Sequence, residues 1–322
     1  RGAYGPTGED RVEKLVEFAI QSLRIGSLVG LVGFVMLAVT GDGSAYQVAQ
    51  KQPMKLAAME GLYEGREGAG LSAFGILNPN KTAYNDEVKP YILNVEIPKL
   101  LSFLAYRDQN AFVPGVKDII DGGYTLPDGT TALSFEERKA RGEKAIQALA
   151  DHMVARKEGR AADVASHEAI LRENYAHFGY GYLETGVDLI PDIPLTYYSF
   201  HLMVMIGIFF ILFFMVVLYY LYKKKMSNTG WLQYVALWSI PLSFLAAQLG
   251  WIVAEVGRQP WTIQDILPVE ISASAVSAGN IITTFILFTL IFTGLLAAEI
   301  AIMVKQIKKG PASLSTENHT GQ

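Results

Sequence analysis

Four long apolar stretches almost free of charge constrain this chain more than any other feature of its sequence. The 322 residues include 27 Lys and Arg and 31 Asp and Glu, yet only Arg24, Glu255 and Glu299 fall within the stretches. The stretches are residues 18–40, 197–222, 231–256 and 281–304. Each reaches the roughly 20 residues that a helix needs to cross the hydrocarbon core of a bilayer. The sequence therefore predicts an all-α integral membrane protein, with four transmembrane helices and a large extracytoplasmic loop region that contains helices. A purely soluble enzyme and a disordered chain are excluded.

The first of these stretches is less apolar than the other three. Gln21, Ser22 and Arg24 lie in its first two turns, and three glycines interrupt it further along. An amphipathic helix buried in protein is therefore an alternative for this stretch alone. Arg24 is compatible with a membrane span, because a long cationic side chain near a helix end reaches the interface.

Basic residues in the short loops predict the orientation, because Lys and Arg favour the cytoplasmic side. They are Arg11 and Lys14, then Lys223, Lys224 and Lys225, then Lys305, Lys308 and Lys309. Four crossings place all three groups on one side, so residues 1–17, 223–230 and 305–322 are the cytoplasmic lead-in, loop and tail. Residues 41–196 and 257–280 lie on the opposite side. Tyr197 and Tyr198 at one end of the second span, and Tyr219, Tyr220 and Tyr222 at the other, are typical of interfacial aromatic belts.

Charge and cysteine content exclude several classes of function. The net charge is −4, and no run of about five or more like charges is present that would attract nucleic acid. The chain has no cysteine, which excludes disulfides, thiolate nucleophiles, cysteine-bound iron–sulfur clusters and c-type haem attachment. The polar opening of the chain is not a signal peptide, and we expect the chain to be a fragment that lacks an upstream part.

The outer region, residues 41–196, is too long for a plain connection between two helices. Ser134, followed by Glu136 and Glu137, predicts the start of a charged helix. Residues 161–178 have the pattern of a second helix, which we expect Gly179 to end. The first half is rich in loop signals, with turns indicated at Asn78-Pro79-Asn80 and at Pro127-Asp128-Gly129.

A charged residue inside a membrane span is a candidate functional residue by default. Glu255 lies at the outer end of the third span and three residues before Arg258, so a local ion pair between them is one interpretation. The other is that Glu255 meets a metal or a proton while Arg258 faces an anionic group. Trp251 and Trp261 flank the pair, either as an interface belt or as a stacking surface for a planar cofactor. Glu299 in the fourth span lies on a proton path or bonds to a neighbouring helix.

The second span begins with His201, Met203 and Met205 close together. A single histidine in a membrane span more often bonds between helices than ligates a metal. Methionines ordinarily pack against lipid or core side chains, although a thioether ligates haem iron in some proteins. Spacing alone does not choose among these three residues.

A short amphipathic helix is predicted just beyond the first span, with Pro53 in its first turn. Leu56, Ala57 and Met59 would lie on the membrane, and Lys55 and Glu60 near the headgroups. The alternative is a solvated surface helix. The functional interpretation requires a lipid-soluble substrate that loses protons, for which a carboxylate near an apolar surface is a suitable general base.

These segments, taken together and in order, resemble subunit I of the cytochrome bd-type quinol oxidases. The pieces that carry the resemblance are GDGSAY at 41–46, KLAAME at 55–60, FHLMV at 200–204, GWIVAEVGRQPW at 250–261, VSAGN at 276–280 and GP at 310–311. The GRQPW segment is the most specific of them. The resemblance covers nearly the whole chain but only the C-terminal part of the family's subunit I.

The resemblance implies roles for seven residues. Lys55 and Glu60 match the family's quinol-site pair, and residues 41–196 its periplasmic quinol-binding loop. Met203 matches the methionine ligand of low-spin haem b, and Glu255 the carboxylate at high-spin haem b. Trp251 matches an aromatic residue between haems, and Arg258 an arginine near haem propionates. His201 stands where an arginine is expected as a propionate partner, and an imidazole is shorter and only sometimes charged.

The resemblance also implies cofactors, partners and location. Quinol is oxidised at the outer face, electrons pass through the two haems b to haem d, and dioxygen is reduced to water. A proton gradient arises without pumping. The upstream part of subunit I would supply the histidine partner of low-spin haem b and the ligand of haem d. Oxidase subunit II and a small accessory subunit are the expected partners, in the bacterial cytoplasmic (inner) membrane.

Two functions from other classes compete with this interpretation. One is a non-redox transporter or channel subunit in which Glu255, Arg258 and Glu299 line an ion path. The other is a signalling protein whose outer region senses a ligand. Both predict a colourless protein, whereas the oxidase predicts haem absorption bands.

Overall fold

The computed structural model of the chain describes residues 8–223 and 230–309. Lys224 and Lys225 of the cytoplasmic loop, the Gly310-Pro311 exit and the first seven residues lie outside the described residues. The described residues divide into two compact units. One contains residues 8–30, 214–223 and 274–309, and the other contains 31–213 and 230–273. The second unit carries the candidate site.

Four helices are long and apolar enough to cross a membrane, and each predicted span lies within one of them. They are α1 (Gly8–Lys51), α7 (Ile193–Tyr222), α8 (Gly230–Val256) and α9 (Ala278–Lys309). The apolar side chains of α1 are largely exposed, as with Val29 at 65% and Leu37 at 63%, which a helix buried in protein would not show. The first stretch is therefore a candidate span rather than a buried amphipathic helix.

Helix α1 continues well past residue 40, where the sequence places the end of the span. Gly41 and Gly43 cost only about 1 kcal/mol each in a helix, and tertiary contacts hold the extension in place. The carboxylate of Asp42 accepts hydrogen bonds of 2.8 and 2.6 Å from both terminal nitrogens of Arg107. This pair, together with the buried Ala49, attaches the extension of α1 to the outer region, and the helix ends at Lys51.

The first half of the outer region contains strands where the sequence indicates loops. Its elements are α2 (Pro53–Met59), β1 (Arg66–Glu67), β2 (Leu71–Leu77), β3 (Tyr91–Ile97), α3 (Leu100–Tyr106), β4 (Phe112–Val113) and α4 (Val116–Asp121). Strands β2 and β3 pair antiparallel, as do β1 and β4. The predicted turn at Asn78 lies in the β2–β3 connection, where the Lys81 amide donates to the Asn78 carbonyl.

The second half of the outer region is helical, as predicted. Helix α5 (Phe135–Lys157) begins with Ser134, whose hydroxyl accepts from the Glu137 amide at 3.2 Å while Glu137 accepts from the Ser134 amide at 2.8 Å. Helix α6 (Ala161–Asn174) ends earlier than predicted and is followed by a 3-10 helix, Tyr175–Tyr182, that runs through Gly179. The expectation that Gly179 ends the helix is wrong. Its amide donates to the Asp265 carbonyl at 2.8 Å, so this glycine allows a close backbone contact.

The segment after α8 packs against this helical half. It forms β5 (Trp261–Ile263), β6 (Leu267–Pro268) and a short 3-10 helix, Val269–Ile271. Trp261 is 4% exposed, and its ring centroid lies 5.0 Å from that of Tyr180. It is therefore a core residue of the outer region, neither an interface belt nor a stacking surface for a cofactor.

Gly142→Ala is expected to destabilise the contact between α5 and the 3-10 helix. A Cβ at residue 142 would lie 2.5 Å from the His177 carbonyl oxygen and closer still to the Gly181 amide nitrogen. Backbone atoms cannot yield as side chains do, and overpacking of this kind typically costs about 1–3 kcal/mol. Thermal unfolding of the intact subunit measures the effect. Glu143→Ala, at an exposed neighbouring position, is the matched control, and equal melting temperatures for the two variants would contradict the prediction.

Candidate active site

An apolar cavity of about 550 Å³ lies among α1, α2, α3, α7 and α8. Its walls bring together three residues that the sequence singles out in separate segments, Lys55, Glu60 and Met203. The small residues Gly41, Ser44 and Ala45 of the GDGSAY motif line it from α1. Its remaining walls are aliphatic or aromatic, among them Leu37, Val48, Leu56, Met59, Leu101, Leu104, Phe200 and Val253.

Glu60 is a buried carboxyl on the wall of this cavity. It is 4% exposed, and its Oε2 accepts a hydrogen bond of 3.2 Å from the Ser72 amide. Burial raises the pKa of Glu60 to about 8, against the opposing effect of that hydrogen bond, and the nearby charge of Glu96 raises it further. A carboxyl with such a pKa exchanges protons near neutral pH, as a general base requires.

Lys55 lies on the same wall with its stem against the backbone of Gly257. Partial burial lowers the pKa of Lys55 from its ordinary value, and the positive charge of Arg258 lowers it further, while Glu255 has the opposite effect. The ammonium is thus a hydrogen-bond donor at the edge of an apolar space. It is suited to a neutral substrate that carries an oxygen acceptor.

Helix α2 is neither on the membrane surface nor solvated, so both sequence interpretations of it are wrong. Leu56, Ala57 and Ala58 are buried in the two hydrophobic clusters of the outer region. Leu56 contributes to one cluster with Ala49 and Val113, and Ala57 contributes to the other with Val116. Because the strands and α4 cover this helix, Glu60 is enclosed by protein rather than by headgroups.

Met203 is the sulfur-bearing residue that faces the cavity from α7. A Cβ at Gly250 would lie 3.0 Å from Met203 Sδ, so the glycine leaves room for the thioether where α7 and α8 meet. Met205, two residues on, is 41% exposed and is not among the cavity walls. The structure therefore distinguishes Met203, which faces the cavity, from Met205, which does not, whereas their spacing in the sequence could not.

His201 is buried between two backbone carbonyl groups. Its Nδ1 lies 2.9 Å from the Tyr197 carbonyl oxygen, and its Nε2 lies 3.0 Å from the Ser72 carbonyl oxygen. These contacts tie α7 to β2, the strand whose Ser72 amide also donates to Glu60. The role of His201 as a partner of a haem propionate stays a prediction. This geometry does not favour it, because both ring nitrogens already lie against backbone carbonyl oxygens.

Glu255 and Arg258 form the local ion pair that their spacing allows. Arg258 donates to Glu255 Oε2 at 2.6 Å, and both side chains are about two-fifths exposed. Trp251, one turn earlier, is 62% exposed and, like these two residues, lies outside the cavity wall. The pair is compatible with a cofactor on its exposed side but does not itself define a site. Glu299 is exposed on α9, in the other compact unit.

Several polar residues around Glu60 were not found by sequence analysis. Tyr197 is fully buried, with its hydroxyl 3.0 Å from Ser72 Oγ, so it is not part of an interface belt. Ser72 Oγ donates to Asn94 Oδ1 at 2.8 Å, and Asn94 Nδ2 donates to Glu96 Oε1 at 2.7 Å. The alternation of polar and apolar residues in Tyr91–Ile97 was the available signal for β3. Asn94 and Glu96 lie near Glu60 because β3 pairs with β2, and the spacing of residues in the sequence does not reveal that pairing.

Some side chains at this cavity have the chemistry of haem ligands and others do not. Among the described residues, no group of three His, Asp or Glu side chains could hold a metal ion. Haem iron requires only axial ligands, and a thioether at the wall of a large apolar cavity is one of them. Met203 therefore has the chemistry of one haem ligand, and the residues that line this cavity include no histidine that could be a second.

Comparisons with known proteins identify the family. The model of the family described as cytochrome bd terminal oxidase subunit I matches residues 9–311. The chain is 31% identical over 310 residues to cytochrome bd-II ubiquinol oxidase subunit 1 of Escherichia coli strain K12, covering 94% of this chain and 58% of that protein. It is 27% identical over 300 residues to cytochrome bd ubiquinol oxidase subunit 1 of Bacillus subtilis strain 168, covering 92% and 50%.

A solved structure shows the same fold. The bd oxidase from Geobacillus thermodenitrificans matches with a TM-score of 0.53 and 23% identity, over 92% of this chain and 54% of that chain. The chain thus spans about half the length of the relatives that it matches. With the family match over residues 9–311 and four candidate membrane-spanning helices, the chain belongs to the family of subunit I of the cytochrome bd terminal oxidases.

Proposed function

We propose that this chain is the quinol-oxidising part of a terminal oxidase that reduces dioxygen to water. The observation that carries the proposal is an apolar cavity whose wall contains a buried carboxyl, an ammonium and a thioether, those of Glu60, Lys55 and Met203. A quinol has an apolar body and two hydroxyl groups that lose protons on oxidation. A largely apolar cavity with a few convergent polar groups is the kind of site that such a substrate occupies.

The two polar residues have complementary roles in this proposal. Lys55 donates a hydrogen bond to a substrate oxygen and so orients the ring in the cavity. Glu60, with its pKa raised to about 8 by burial, accepts a substrate proton. The apolar walls exclude water, which keeps both interactions strong.

Met203 would hold low-spin haem b, which supplies a one-electron acceptor next to the substrate. Glu255 would lie at high-spin haem b, with Arg258 and Trp251 beside it on the exposed side of α8. Haem d and the second ligand of the low-spin haem would belong to the upstream part of subunit I. Oxidase subunit II and an accessory subunit are proposed as partners.

We also propose that the chain lies in the bacterial inner membrane, with the outer region, residues 41–196, in the periplasm. Glu60 is in that region, so the substrate proton is released outside. Protons used to form water come from the cytoplasm, and charge is separated without a pump. This orientation rests on the basic residues of the loops and the tail.

The test is to express the intact subunit with its partners and to compare wild type with Lys55→Met. The wild-type enzyme is expected to show haem absorption bands and quinol-dependent oxygen consumption. Lys55→Met is expected to raise KM for quinol by about tenfold, the size of one lost hydrogen bond to a charged donor. Its haem spectrum should be unchanged.

Lys51→Met is the matched control, because Lys51 is exposed, is the last residue of α1 just before α2, and is not in the cavity wall. A colourless wild-type protein would refute the oxidase and favour the transporter or the sensor. An unchanged KM in Lys55→Met would remove Lys55 from the site.

A further inference from the structure

Glu60 lies where the apolar cavity meets a second cavity of different character. This second cavity has a volume of about 460 Å³ and is lined largely by polar and charged residues, including Arg66, Lys89, Tyr91 and Glu96. Gly61 also lines it, and the Tyr91 hydroxyl donates to the Glu60 carbonyl oxygen. Glu60 lines the apolar cavity and the next residue, Gly61, lines the polar one, so the two cavities are neighbours at this point of the chain.

Hydrogen bonds connect the Glu60 carboxyl to the polar cavity. The Ser72 amide donates to Glu60 Oε2 at 3.2 Å, and the Ser72 hydroxyl donates to Asn94 Oδ1 at 2.8 Å. Asn94 in turn donates to Glu96 Oε1 at 2.7 Å. Glu96 ends this series, since its other oxygen pairs with Arg66 at the surface.

Glu96 has the properties of a proton acceptor in contact with water. Its side chain is 31% exposed and that of Arg66 is 45% exposed, so both can exchange with solvent. Ser72, whose amide donates to Glu60, lies opposite Glu96 in the register of β2 and β3, and the negative charge of Glu96 raises the pKa of Glu60. The titratable and charged groups around Glu60 are Lys55 on α2, Arg66 on β1, Tyr91 and Glu96 on β3, and Tyr197 and His201 on α7.

We propose that Glu96 is the outer proton acceptor of this site, receiving the proton from Glu60 and releasing it through the polar cavity. The inference rests on the proposed quinol oxidation. In the step, the O–H bond of the Glu60 carboxyl breaks as a water molecule takes the proton and gives one of its own to the Glu96 carboxylate, with no change in oxidation state. The amides of Ser72 and Asn94 hold the two carboxyls in place and do not carry the proton, because an amide N–H is not a proton acceptor. The proton then passes from Glu96 to water, and the ion pair between Arg66 and Glu96 forms again, which resets the site.

Glu96→Gln in the intact oxidase tests this path. Turnover at saturating quinol is expected to fall by about ten- to a hundredfold, because the amide cannot accept a proton. The rising limb of the pH profile is expected to move to lower pH, because loss of a like charge lowers the pKa of Glu60. Imidazole, a small proton acceptor able to enter the polar cavity, should restore turnover in the variant and leave wild type unaffected.

Glu64→Gln is the control, since Glu64 lines the same cavity with its side chain 79% exposed and has no bond to the series. Asn94→Leu removes the hydrogen bond that holds Glu96 beside Ser72 while keeping the carboxyl, and it should give the same imidazole-dependent loss if Glu96→Gln does not assemble. Unchanged turnover in Glu96→Gln, or a loss that imidazole does not relieve, overturns the proposal. If wild type itself fails to oxidise quinol, the proposed function fails instead, so the two failures are distinct.

Discussion

Met203→Leu, introduced into the intact subunit, is expected to abolish the absorption of low-spin haem b. Leucine keeps the apolar volume of the side chain but has no sulfur to bind iron, so the axial bond is lost while the packing at Gly250 is nearly preserved. Difference spectra of the reduced and oxidised enzyme measure the effect. The bands of the other haems should remain, because their ligands lie elsewhere.

Met205→Leu is the matched control for this result. It makes the same chemical change two residues along α7, at a position that is 41% exposed and not in the cavity wall. Its spectrum should equal that of the wild type. If Met203→Leu retains all haem bands, or if Met205→Leu loses the same band, the assignment of the ligand to the cavity-facing methionine is wrong.

The membrane helices were predictable because a bilayer span depends on composition over about 20 residues, which any window of sequence reports. The start of α5 was predictable for a similar local reason, since Ser134 and Glu137 complete a capping box within one turn. The extent of α1 was not predictable, because the bond between Asp42 and Arg107 joins residues far apart in the chain.

The sequence named residues of the candidate site but not their surroundings. Lys55, Glu60 and Met203 came from the resemblance, and the structure adds that they share one cavity. The burial of α2 could not be foreseen, because Leu56 and Ala57 have the same pattern on a membrane surface as in a protein core. Tyr197 was misassigned for the same reason, since a tyrosine at a helix end has no local signal that separates an interface belt from a buried hydrogen bond.

Glu60→Gln is expected to slow quinol oxidation by about a hundredfold or more, the usual contribution of a positioned general base. The amide is nearly isosteric and still accepts from the Ser72 amide, so haem content and assembly should be unchanged. The pH profile provides the sharper signature. Because the pKa of Glu60 is raised to about 8, the carboxyl is protonated below that pH and cannot accept a proton, so wild-type turnover should rise as pH rises through 8.

That rising limb should be absent in Glu60→Gln, which has no group to ionise there. Glu67→Gln is the control, because Glu67 is exposed on β1 and is not in the wall of the cavity, and it should keep both the rate and the limb. Loss of turnover with the limb retained would mean that Glu60 supports the site structurally and that another group accepts the proton. Unaltered turnover would mean that Glu60 is not the base. The burial of a carboxyl beside an apolar cavity, which has a desolvation cost, would then have no catalytic explanation.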